Sequence, residues 1–97
     1  MSAKSRRVIE ELAKELKFSE EVILEESLKV FLEKKLREVR AEILQIVGKY
    51  GVSSVEEMEG KYKEGTLEEA DTWRDLQRLD HLEYKRDYLM QLLKDLK

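Results

Sequence analysis

The sequence has no cysteine and no proline, a single histidine, a single tryptophan and only four glycines in 97 residues. Without cysteine there is neither a disulfide nor a thiolate ligand for zinc or iron–sulfur chemistry, and no thiol nucleophile. Without proline nothing breaks a helix from inside. No run of eighteen apolar residues occurs, so no segment is expected to span a membrane. The basic stretch Met1 to Arg7 is not followed by an apolar core of signal-peptide length before Glu10. We therefore expect a cytoplasmic protein.

What is present is charge. Asp, Glu, Lys and Arg make up 42% of the chain, well above the roughly 25% of an average globular protein. Most of them are Glu, Lys and Arg, which favour helices. The same Glu/Lys-rich, cysteine-free profile is typical of proteins from hot environments, and a thermophilic source is the expectation. The net charge of −3 hides an uneven spread. Residues 1–17 carry five basic and three acidic groups, net +2, whereas residues 53–75 carry eight acidic and three basic groups, net −5. The acidic segment suits a basic partner and disfavours nucleic acid, although a solvated helical face would look the same.

Gly48, Gly51, Gly60 and Gly65 punctuate an otherwise helical chain, and residues 1–97 read as one all-α domain. Val8, Ile9, Leu12, Ala13 and Leu16 define the apolar face of a first helix over 5–17. Ser19 is placed to cap a second, long helix over 20–49, with Glu20 and Glu21 in its first turn. The first half of that helix is broadly apolar (Val22, Ile23, Leu24, Leu28, Val30, Phe31), which suits cover from two sides. Its second half carries a heptad-like seam of Leu32, Leu36, Val39, Ile43, Ile46 and Tyr50, spaced 4, 3, 4, 3, 4. These six residues are the candidates for self-association. Gly51 fits the left-handed position past a helix end. Ser53 with Glu56, and Ser54 with Glu57, have capping-box spacing ahead of a short third helix over 54–64. Thr66 to Glu69 forms another such box before a fourth helix over 67–96. Its leucines Leu79, Leu82, Leu89, Leu93 and Leu96 keep helical spacing, interrupted at Arg86. The expected architecture is a small antiparallel bundle of two long helices, with the N-terminal helix at the far end, a short helix in the connection, and a dimer covering the remaining apolar surface. A core this small often draws stability from oligomerisation.

Catalytic equipment is scarce. His81 has Asp80 and Glu83 near it in sequence, but neighbours at one or two positions do not face each other on a helix. A metal site wants three or four convergent ligands. Adjacent glutamates such as Glu25 and Glu26 recur along the chain and read as solvated faces rather than acid–base pairs. Gly48-Lys49-Tyr50-Gly51 is too short for a phosphate loop. Neither catalysis, nor a metal, nor a cofactor is expected. Lys4, Arg6 and Arg7 could touch phosphates, but a solubilising terminus accounts for them as well. Trp73, among Asp71, Thr72, Arg74, Asp75 and Leu76, is either a local core plug or a binding anchor. Tyr62, Leu67, Asp71, Trp73, Asp75 and Leu76 are the candidate partner-binding residues, with Tyr84 and Tyr88 adding aromatic surface.

Residues 9–37, from Ile9, Leu12, Ala13 and Leu16 through Phe18 and Ser19 to Leu28, Phe31, Leu32 and Leu36, resemble the two helices of a ribbon-helix-helix protein. That family reads DNA with a strand ahead of its first helix. No alternating strand pattern precedes Ser5 here, so DNA reading is the least expected function. Residues 48–83, with the Lys49-Tyr50-Gly51 break, an acidic helix, Gly65 and Trp73, resemble a group of small archaeal helical proteins that look like the antitoxin halves of toxin–antitoxin pairs. This resemblance implies a binding protein that covers a partner with its acidic C-terminal half. The alternative is a self-associating structural or regulatory module.

Overall fold

The computed structural model describes residues 1–65 and 69–97, with the backbone alone for residues 69–71. The described residues form four helices and no strand: α1 (Ala3–Leu16), α2 (Glu20–Tyr50), α3 (Val55–Glu64) and α4 (Glu69–Asp95). Each boundary has a local cause. The Ser2 hydroxyl accepts from the Ser5 amide at 3.1 Å, so α1 starts two residues ahead of the expected Ser5. The Ser19 hydroxyl accepts from the Val22 amide at 3.1 Å, the cap expected from the sequence. Ser54 caps α3 through the Glu57 amide at 3.2 Å. The Glu57 carboxylate reaches back one residue further than in a reciprocal capping box, to the Ser53 amide at 2.9 Å. Gly51, at φ +65°, ends α2, and Gly65, at φ +76°, ends α3, both in the left-handed region that glycine enters without a Cβ penalty. The expected Thr66–Glu69 capping box lies outside the described residues.

The molecule is long rather than a compact bundle. Its extents are 62 × 25 × 18 Å and its radius of gyration is 19.7 Å, where a compact chain of this length would have about 12.5 Å. The cause is α2, whose 31 residues span about 46 Å at 1.5 Å per residue. Among the described residues no other helix is as long as α2; α4, which packs against it, has 27 residues.

The core sits along one side of α2 and at its C-terminal end. Leu36, Val39, Ile43 and Ile46 of α2 pack with Leu76, Leu79, Leu82 and Leu89 of α4, and Val52, Val55 and Met58 close the bottom. Met58 and Leu79 are completely inaccessible, and they mark where α2, α3 and α4 converge. Leu32 and Tyr50, at the ends of the α2 seam, are partly buried against the same cluster. The seam given to self-association lies against α4 of the same chain in this structure. Heptad spacing calls for a partner helix, and the Gly51–Gly65 connection brings that helix back within the chain. At the expected break, Arg86 is half-buried and turns its guanidinium to Asp87 at 3.0 Å, so the leucine line resumes at Leu89.

By contrast, α1 buries no residue. It leans on α2 through half-buried Ile9, Ala13 and Ile23, leaving Val8, Leu12 and Leu16 exposed. Lys17 turns the chain at φ +60°, an unusual value for a residue with a Cβ.

Leu79→Ala should cost about 2–5 kcal/mol, because it opens a void where three helices meet. Ile43→Lys should abolish the cooperative unfolding transition rather than merely dissociate an oligomer, since it buries an unpaired charge between α2 and α4. Urea titration followed by helical circular dichroism checks both.

Candidate functional site

The six candidate partner-binding residues fall into three groups. Leu67 lies outside the described residues, as does the side chain of Asp71. Tyr62, Asp75 and Leu76 hold the fold together. Leu76 is a core residue. Tyr62 is half-buried, and its hydroxyl is hydrogen-bonded to the hydroxyl of Thr72, which is buried. Asp75 accepts a hydrogen bond from the Tyr50 hydroxyl and one from the Lys49 ammonium at 3.1 Å. Of the four whose side chains are described, Trp73 alone is presented to solvent, with 49% of its surface exposed. Thr72, one residue earlier, is the one that points into the core.

Trp73 is not isolated. On a helix, positions 73, 77, 80, 84 and 88 share a face, and all five residues (Trp73, Gln77, Asp80, Tyr84 and Tyr88) are exposed. Tyr84 and Tyr88 are 70% and 54% exposed, and their rings stack at a centroid distance of 6.5 Å. The face spans about 22 Å from Trp73 to Tyr88. It is turned away from α2 because Leu76, Leu79, Leu82 and Leu89 point toward it. The two tyrosines were legible as aromatic surface, and their spacing from Trp73 is the signal that places all three on one face. His81 and Lys85 lie beside this line, both exposed. Among the described residues no three His, Asp or Glu side chains converge as a metal site would require.

Next to Trp73, the Tyr50–Asp75–Lys49 cluster fixes the start of α4 on the end of α2. The Tyr50 hydroxyl and the Lys49 ammonium, both donating to the Asp75 carboxylate, hold its pKa below the usual carboxylate value against the opposing effect of burial. Burial first, and the bond to Asp75 second, push the Tyr50 phenol up. Lys49 rises through its hydrogen bonds to Asp75 and Tyr50. A second clamp joins α2 to α3: the Lys61 ammonium donates to the carbonyls of Tyr50 at 3.2 Å and Gly51 at 3.4 Å, satisfying the open C-terminal end of α2. A third joins α3 to α4, where Glu83 accepts from the Val55 amide at 3.0 Å in the first turn of α3. The aromatic face is thereby carried on a helix tied at its start and backed by the core.

The cluster makes stability depend on pH in a defined direction. Folding depresses the Asp75 pKa, so its contribution is present above the ordinary carboxylate value of about 3.9 and is lost as pH falls through the folded value. Asp75→Asn should therefore flatten the acid limb of the melting-temperature profile below about pH 4, and should lower the melting temperature at pH 7. Thermal melts of both proteins from pH 2 to 7, a span around the carboxylate pKa, measure this.

No helix among the described residues is long and apolar enough to cross a membrane. No solved structure matches the chain. It is similar to the uncharacterized protein MJ0235 of Methanocaldococcus jannaschii, with 34% identity over 77 residues, which is 79% of this chain and 93% of that protein. The model of the uncharacterized protein MJ0235 family matches residues 1–97 from end to end, and the chain belongs to that family.

Proposed function

We propose that the protein is a non-enzymatic, cytoplasmic binding module that neutralises a partner protein in the manner of an antitoxin, engaging it with its C-terminal half. The observation that carries this reading is the exposed aromatic face of α4. Trp73 is half-exposed on a helix whose opposite side is packed into the core. Tryptophan and tyrosine are over-represented among residues that dominate binding energy, because they offer large, rigid contact area with a polar edge. The adjoining α3 supplies exposed Glu56, Glu59 and Glu64, which suit a basic surface and speed its approach. DNA is the less favoured target: strand-based groove reading needs a strand, and the described residues contain none.

The direct test is growth of cells expressing the reading frame adjacent to this one, alone and together with this protein. Arrest by the neighbour and rescue by co-expression support the antitoxin reading; a harmless neighbour removes it. In a rescuing pair, Trp73→Ala should weaken binding about 30-fold or more, the loss typical of a hot-spot anchor, and leave helicity unchanged because Trp73 lies outside the core. Affinity equal to that of the parent would show that the partner sits elsewhere.

A further inference from the structure

The N-terminal hairpin of α1 and the first half of α2 is the part of the chain whose apolar residues find the least cover. Val8, Leu12 and Leu16 lie four apart on α1, Phe18 sits in the turn, and Val22 and Val30 lie eight apart on α2, so that each set shares a face. All six are between 40% and 62% exposed. Leu12, Leu16, Phe18, Val22 and Ile23 line an open groove of about 470 Å³ between the two helices. A 14-residue helix that buries nothing is marginal in water, so the hairpin needs cover from outside the chain.

We propose that this cover is a second copy of the same chain, meeting the first about a two-fold axis with α1 of each copy lying across the start of the other's α2. Two observations favour a second copy. The first is charge. Residues 1–17 carry net +2, whereas residues 18–28 carry four acidic groups and no basic one, net −4. A two-fold contact that crosses α1 over the partner's α2 brings the basic segment onto the acidic one twice, so the surface is complementary to itself. The second is apolar character. Six large apolar side chains, each between 40% and 62% exposed, stand on one hairpin, and homodimer interfaces are more apolar than ordinary surface, at about 65%. The α2–α4 seam is left untouched by this contact, and the aromatic face of α4 stays free. The proposal is thus independent of the neutralising role.

Sedimentation equilibrium of the full chain tests it. The parent should run at twice the 11.5 kDa chain mass, and the double variant Leu16→Glu/Phe18→Glu should raise the dimer dissociation constant about 100-fold or more, each substitution being felt twice in a two-fold contact. Val30→Glu alone should weaken the dimer in the same direction. Leu44→Glu, which alters an equally exposed leucine on α2 far from the hairpin, should leave it unchanged. A parent that stays at the single-chain mass up to about 100 μM, as would hold if the hairpin served an unrelated protein, overturns the proposal. So does a dimer that survives both hairpin variants or is broken by Leu44→Glu.

Discussion

The arrangement rests on the side-by-side packing of α2 and α4, because that contact holds most of the buried apolar surface and every other element is placed by it. Leu36, Val39, Ile43 and Ile46 supply one side, and Leu76, Leu79, Leu82 and Leu89 the other. A domain of this size buries a smaller fraction of its surface than a larger one does, and two long helices in line contact bury less than a rounded bundle would. The seam therefore has no excess to spare. Met58 stands where α3 closes its end, and it is there, with Leu79, that burial is complete. The polar bonds at this end act together. Asp75 fastens α4 to Tyr50 and Lys49, Lys61 satisfies the end of α2, and Glu83 satisfies the start of α3. Each surface pair alone contributes little. Placed where three helices converge, they select one register of α4 over α2.

That register decides which residues the molecule offers outward. With Leu76 and Leu79 turned to α2, Trp73, Tyr84 and Tyr88 must face solvent. At the other end α4 reaches the first half of α2 only along one edge, where Leu93 and Leu96 lie beside Lys29 and Glu33. The remaining apolar width of α2 is left to α1 and to whatever lies beyond it. The closed end and the open end are thus two consequences of one helix pairing.

Much of the fold was legible because helix signals here are local. Absent proline, the glycines, helical apolar spacing and the caps Ser19 and Ser54 place the ends of α1 to α3 within two residues of those observed, while the Ser2 cap of α1 was not read. The N-cap at Ser19 and the terminator at Gly51 are correct to the residue. The antiparallel pairing of the long helices followed from a short connection. Which chain covers the seam was not legible, since 3–4 spacing names the buried face of a helix and not the owner of the helix that covers it. The outward turn of Trp73 was hidden for a related reason. Thr72 stands four residues before Leu76 and seven before Leu79, the true seam position, but a threonine does not announce itself as core. Its burial depends on the hydroxyl of Tyr62, ten residues away. Asp75 was picked for its nearness to Trp73, while its partners Tyr50 and Lys49 lie 25 and 26 residues back, a separation that periodicity does not reach. The breadth of the apolar surface on α2 was legible, and it is where the structure leaves most exposed.

The claim on which all of this depends is that the α2–α4 seam is closed within a single chain. Amide hydrogen exchange, followed over a wide range of protein concentration, tests it most directly, because protection within one chain is independent of dilution and protection between chains is not. The slowest amides should lie in the facing segments 36–46 and 76–89, with rates that do not change on dilution, while those of α1 quicken. If the amides of 36–46 and 76–89 lose protection on dilution in step with α1, the seam is shared between chains and the account is wrong.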